Sequence, residues 1–260
     1  MFIFFLLLTL LANALTPSYA NEASEHNGKN YEEHIEEHKH EMKDDDKKIM
    51  HYVKEIELNP DNADAHFNLG MLYGKKRRKN DAILEYQKAI RLKPDFIEAR
   101  TRLSQVYGEE QQYNESIAEL RKVLEIDPKN ASAYRNIGLA YYRMGFLEKA
   151  LAELKSALDI APNDAETHYA MENVLYGMGL HDEAVLELKK SIELNPEYKE
   201  AYNNLGFIYY ERGMIDEAVE KFRKVIELDP NFVEAYSNIG LIYCEKGMFE
   251  EAIVILKKAI

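Results

Sequence analysis

Residues 199–232, KEAYNNLGFIYYERGMIDEAVEKFRKVIELDPNF, hold the pattern that organises the whole chain. Tyr202, Leu205, Ile208 and Tyr209 fall three and four apart, which puts them on one face of a helix. Gly213 and Met214 interrupt that helix, and Ala218, Phe222, Val225 and Ile226 resume the same spacing in a second one. Asp216 and Glu217 open the second helix while Arg223 and Lys224 stand toward its end, an order of charge that complements the helix dipole. Pro230 lacks an amide hydrogen and drives Asp229 out of helical geometry, so the unit stops there.

The closing phrase KVIELDP has near-copies upstream: KEIELNP, KAIRLKP, KVLEIDP, SALDIAP and KSIELNP. Pro60, Pro94, Pro128, Pro162, Pro196 and Pro230 are therefore spaced 34 residues apart throughout. A fixed period of this length marks a chain built from repeated helix pairs. Each helix of ~13 residues is marginal alone, and burying one apolar side chain contributes roughly 1.5–3 kcal/mol. Cohesion must then come from neighbouring pairs stacking into a solenoid. Two slots hold small residues: Ala82, Ser116, Ala150, Ala184, Ala218 and Ala252 in the second helix, and Gly70, Ser104, Gly138, Gly206 and Gly240 in the first. Both slots are expected to mark close helix contact. Glu172 breaks the glycine series, and Ser191 replaces a small apolar residue in the same repeat. The Glu172 carboxylate is expected to reach Ser191 or water and to loosen that pair.

These features resemble the tetratricopeptide repeat, a helix–turn–helix of the same length. Its Leu-Gly-x-x-Tyr signature stands at Leu69-Gly70 with Tyr73 and at Leu205-Gly206 with Tyr209, with Ile-Gly variants at Ile137 and Ile239. The chain reads as a leader at 1–20, a charged spacer at 21–43 and a repeat array at 44–260. Within the array, 44–62 is a partial leading repeat, followed by 63–96, 97–130, 131–164, 165–198, 199–232 and a truncated 233–260. The resemblance implies an all-α fold, a right-handed α-solenoid of stacked helix–turn–helix repeats. It also implies a concave groove, lined by first helices, that receives an extended peptide or a helix from a protein partner.

By the same resemblance, the inward slots are Phe67, Asn68 and Arg102, then Arg135, Asn136, Tyr142 and Arg143. They continue with Tyr169, Asn173 and Tyr176, then Asn203, Asn204, Phe207 and Tyr210, and end at Asn238. Asn68, Asn136, Asn204 and Asn238 share one slot; they are either a ladder for a peptide backbone or ordinary solvated residues. Tyr142, Tyr169, Tyr176, Phe207 and Tyr210 add aromatic surface of the kind that binding hot spots favour. With Arg135 and Arg143 beside them, they suit an acidic or aromatic partner. The lysine of the chaperone-binding carboxylate clamp is missing from the matching slots.

The flanks add weaker signals. MFIFFLLLTLLANALTPSYA is an apolar run ending in small residues, which reads as a cleaved export signal or, alternatively, an uncleaved anchor. The expected location is therefore the periplasm, the cell envelope or the outside of the cell. His34, His38 and His40 lie among glutamates, and His34 and His38 could share a helix face suited to zinc or copper. The plainer reading of that stretch is a solvated spacer. Lys75, Lys76, Arg77, Arg78 and Lys79 fill one turn, either as a solvated turn or as a dock for an acidic partner or an anionic membrane surface. Net charge is -13, with 46 acids against 33 bases, which argues against nucleic acid. Cys244 is the only cysteine, so no intrachain disulfide forms. No phosphate loop, nucleophile elbow or zinc-protease helix is present, so neither an enzyme nor a cofactor is expected. The function expected is an exported scaffold or adaptor. The alternatives are the repeat arm of a larger enzyme, such as a sugar transferase, and metal binding by the His-rich spacer. The last helix pair has no capping helix and could join two copies as a homodimer.

Overall fold

The computed structural model describes residues 44–259, and all regular structure there is helical. The leader at 1–20, the spacer at 21–43 and the histidines His34, His38 and His40 lie outside the described residues. The chain divides after Ile126 into two compact units. In unit 1, α1 (Asp44–Leu58) is the lone second helix of the leading repeat. It is followed by the pairs α2 (Ala63–Lys75) with α3 (Lys79–Leu92) and α4 (Ile97–Glu109) with α5 (Tyr113–Ile126). Ile49 of α1 is buried in one core with Leu69, Tyr73, Tyr86 and Leu103.

Unit 2 holds four pairs: α6 (Ala131–Arg143) with α7 (Leu147–Ile160), α8 (Ala165–Gly177) with α9 (His181–Leu194), α10 (Lys199–Glu211) with α11 (Ile215–Leu228), and α12 (Val233–Glu245) with α13 (Phe249–Leu256). A short 3-10 turn, Lys257–Ala259, follows. Within the unit, α8, α10 and α12 each pack on their own second helix and on the second helix before it, which is solenoid stacking. One continuous core runs through the unit, from Ala150 and Leu154 to Ile239 and Ile242.

Both small-residue slots lie where two helices meet most closely. A Cβ added to Gly206 would sit 2.9 Å from Phe222 Cε1, and one on Gly138 would sit 2.8 Å from Leu154 Cγ. Ala150, Ala184 and Ala218 are fully buried opposite. The turn within each pair needs a left-handed residue: Gly145, Gly179, Gly213 and Gly247 supply it, while Arg77 and Gln111 adopt it at φ 60°. An L-residue pays roughly 1 kcal/mol or more for that conformation, so the basic turn of unit 1 is held by something other than its backbone preference.

A second device, absent from the sequence reading, ties the turns at Pro60, Pro94 and Pro162 to the pairs that follow. His66 Nδ1 lies 2.5 Å from Glu85 Oε2 and its Nε2 lies 3.1 Å from the Pro60 carbonyl. His168 repeats this with Glu187 at 2.6 Å and the Pro162 carbonyl at 3.0 Å. Arg100 fills the same slot: Nη1 donates to Glu119 at 2.6 Å and Nη2 to the Pro94 carbonyl at 2.9 Å. One polar side chain thus spans the second helix of its own pair and the turn before it. Losing such a group strands two acceptors in a half-dry site, at a cost of about 2 kcal/mol. His168→Ala should lower stability by about that amount while His168→Arg keeps most of it. Thermal melting of both variants checks this; a His168→Ala melt equal to wild type would remove the staple from the account.

Candidate functional site

The first helices of unit 2 are linked side to side by polar rungs. Tyr176 donates its hydroxyl to Glu211 Oε2 at 2.7 Å, and Tyr210 donates to Glu245 Oε1 at the same distance. Asn203 Nδ2 donates to Glu234 at 2.9 Å, and Asn204 Nδ2 donates to Glu172 Oε2 at 2.9 Å. The Tyr176 and Phe207 rings stand edge to face, 6.4 Å between centroids. These contacts join α8, α10 and α12 into one wall. Phe207 and Leu241 remain 42% and 50% exposed on it, although apolar neighbours such as Leu205 and Ile239 are buried.

The expected inward residues do not all share one setting. Tyr176, Asn203, Asn204, Phe207, Tyr210 and Asn238 meet in this wall. Tyr142 packs toward Gly177, and Tyr169 lies 4.9 Å from the Tyr198 ring, so both belong partly to the core. Asn173 turns back to its own helix and donates to the Tyr169 carbonyl at 2.9 Å. Asn136 is half-buried. In unit 1, Phe67 is wedged between Tyr86 and Phe96, Arg102 donates to Gln105 at 3.1 Å, and Asn68 is half-buried.

Two expectations about charge and donors need correction. Arg135 is not available to an acidic partner: it pairs with Asp164 and lies 2.8 Å from Glu166. Burial raises the Asp164 carboxyl, but the Thr167 hydroxyl and Arg135 outweigh it and hold it below the usual range. Arg143, by contrast, is exposed and has no ion-pair partner among the described residues. Asparagines of the proposed ladder are also engaged, Asn204 with Glu172 and Asn238 with Asn203 Oδ1 at 3.5 Å. The sequence reading passed over Glu211, Glu245 and Glu234. The signal was there, since Glu166, Glu200 and Glu234 recur every 34 residues, as do Glu211 and Glu245.

Glu172 also departs from expectation. It is 3% exposed and bonds Asn204 on the next first helix, while Ser191 donates instead to the Ala165 carbonyl at 2.8 Å. The glutamate chain is long enough to cross to the neighbouring repeat, and the serine finds a closer acceptor. Burial pushes the Glu172 carboxyl up to about 7, with Asn204 opposing. Tyr176 is pushed up to about 12, first by its bond to Glu211, so it remains a phenol donor in ordinary conditions.

The basic turn does not form a free patch. Lys75 lies 2.7 Å from Asp45, Lys76 pairs with Asp46, and Lys79 lies 2.7 Å from Glu110. Arg78 donates to Asp81 at 2.7 Å and stacks on Tyr73. Acids on the adjoining repeats thus neutralise most of the charge intended for a membrane surface or acidic partner. The same bridge recurs between Arg212 and Asp182 and between Lys246 and Asp216. On α13, Phe249 and Ile253 are 64% and 55% exposed. Among the described residues no helix is long and apolar enough to cross a membrane, and no group of His, Cys, Asp and Glu is placed to hold a metal.

Family models of the tetratricopeptide repeat match residues 63–96 and 131–164. A TPR-repeat model matches 105–145, 173–213 and 208–247. The crystal structure of MamA aligns at 28% identity, covering 62% of this chain and 95% of that one, with a TM-score of 0.54. YrrB, described as a TPR protein with an unusual peptide-binding site, aligns at 24% identity over 72% of this chain and 96% of its own, TM-score 0.53. PilF of Pseudomonas aeruginosa aligns at 19% identity over 73% and 86%, TM-score 0.64. No curated protein matches the sequence.

Glu172 gives the wall a pH signature. Its ordinary value is 4.5 and its native value about 7, so the native chain holds that proton more tightly between the two. The penalty for burying the carboxylate is absent below 4.5, grows across the interval and is complete above 7. Glu172→Gln should therefore stabilise the chain by about 3 kcal/mol near pH 8 and by nothing near pH 4. Denaturant unfolding of both proteins across that range checks it; a difference that does not change with pH would refute the burial argument.

Proposed function

The chain belongs to the tetratricopeptide-repeat family, and on that premise we propose that unit 2 is a binding module holding a protein or peptide partner along its wall of first helices. TPR folds act generally as protein-binding scaffolds; the particular wall rests on one observation. Phe207 and Leu241 stay exposed while Leu205, Ile208, Ile239 and Ile242 of the same helices are buried, in a row bounded by Tyr176 and Tyr210. Large apolar side chains set in a fixed polar frame are the arrangement that binding hot spots use. The rungs also lower the ordering cost of binding, because the tyrosines are already held in place.

Binding, not catalysis, is what these residues support. Tyrosine hydroxyls committed to carboxylates offer recognition and orientation, and no base is poised beside a nucleophile among them. The leader sequence supports a site of action outside the cytosol as part of the same proposal.

Phe207→Ala with Leu241→Ala should weaken capture of the native partner by at least tenfold, about 1.4 kcal/mol, while melting stays within about a degree because both side chains are exposed. Affinity capture from the source organism, with wild type and variant side by side, is the measurement. Equal capture by both proteins would sink the proposal.

A further inference from the structure

The partner's chemistry can be taken further, on the footing that the wall of unit 2 binds a polypeptide. α8, α10 and α12 carry six glutamates, Glu166, Glu172, Glu200, Glu211, Glu234 and Glu245, against one lysine, Lys199. That lysine is spent on Asp229, at 2.5 Å. Among these glutamates, Glu211 and Glu245 are exposed, and each accepts a tyrosine hydroxyl on one oxygen. Glu211 Oε1 and Glu245 Oε2 have no donor among the described residues. Between α8 and α10, Glu172 is buried, and among the described residues Asn204 is its one hydrogen-bond partner and no cation pairs with it.

Neutral donors matter here. A phenol or amide orients a carboxylate without cancelling its charge, so the wall keeps a negative potential beside exposed aromatic and apolar surface. Arginine and lysine suit both features at once: the charged head pairs with a carboxylate, and the alkyl stem covers Phe207 or Leu241. Arginine also stacks on tyrosine faces.

We propose that this wall docks an extended basic segment of a partner protein, its lysine or arginine heads on Glu211 and Glu245 and its stems along Tyr176, Phe207, Tyr210 and Leu241. The segment runs across the first helices, in the direction of the tyrosine–glutamate rungs. Cys244 follows Tyr142, Tyr176 and Tyr210 in the same slot, 34 residues on, and is exposed, so it reports occupancy of that row.

The test uses the full chain and two fluorescein-labelled peptides of equal length, one alternating lysine with alanine and one alternating glutamate with alanine. The lysine peptide should bind at least about tenfold tighter at low salt, lose most of that advantage in molar salt, and slow alkylation of Cys244. Glu211→Gln with Glu245→Gln should weaken it by about tenfold without moving the melting temperature. Glu193→Gln with Glu227→Gln makes the same charge change on second helices and should weaken it by less than about twofold. Equal losses in the two double variants would reduce the effect to general attraction by an acidic protein and overturn the proposal. So would binding of neither peptide, or an unprotected Cys244. Tighter binding of the glutamate peptide at the wall would overturn the basic partner yet leave the polypeptide-binding reading intact. Loss of that reading is detected separately, by capture that ignores Phe207 and Leu241.

Discussion

The close approach of the two helices in each pair is the constraint on which the rest of the structure depends. Phe222 can lie over Gly206, and Leu154 over Gly138, only because no Cβ stands between them. Ala150, Ala184 and Ala218 press from the opposite side and are wholly buried. With the pair drawn this tight, its apolar residues point into the seam and toward the neighbouring pairs. The face of each first helix that looks away from the seam is left over, and in unit 2 successive leftover faces lie side by side. The wall is a by-product of packing before it is anything else.

What happens at the edges of that packing differs from place to place. At the turns, acids of one repeat meet cations of the next: Asp182 with Arg212, Asp216 with Lys246, Asp46 with Lys76. At the proline turns, His66, Arg100 and His168 reach back to a carbonyl and across to a glutamate. On the wall the donors are neutral, Tyr176, Tyr210, Asn203 and Asn204. An exposed ion pair contributes little to stability, so the turn bridges matter chiefly for register and for removing free charge from the edge.

The fold was legible because its information is periodic. Six prolines in phase, two slots of small residues and a three-four apolar spacing each point to the same hairpin, and agreement among levels is what makes a sequence readable. Partner choice among charged residues was less legible. Arg135 looked free because its acids stand about thirty residues on, Asp164 at the end of its own repeat and Glu166 in the next. The basic turn looked free for the same reason, with Asp45 and Asp46 an equal distance upstream. The spacing was visible, since acid and base recur in corresponding slots at Asp182 and Arg212 and at Asp216 and Lys246. Glu172 was recognised as anomalous but assigned the wrong partner. A search confined to its own helix pair found Ser191, while its side chain crosses to Asn204 on the next. In a stacked array, the partner of a polar residue can lie one repeat away as well as within its own, as Asn204 does for Glu172.

The contrast between turn and wall bears on how an acidic protein can still be selective. Net charge alone draws any basic molecule weakly and without orientation, and salt screens it. Selectivity needs carboxylates fixed in direction and kept uncancelled, beside surface that rewards contact with an alkyl or aromatic group. At the turns the carboxylates are fixed but cancelled. On the outer faces of the second helices, Glu193 and Glu227 are paired with Lys190 and Lys224. Along Tyr176, Glu211, Tyr210 and Glu245 the carboxylates are fixed by donors that carry no charge, with Phe207 and Leu241 exposed in the same wall. The same acidic composition therefore yields a neutral edge and a charged, oriented wall, and the difference lies in whether the donor is a cation or a phenol.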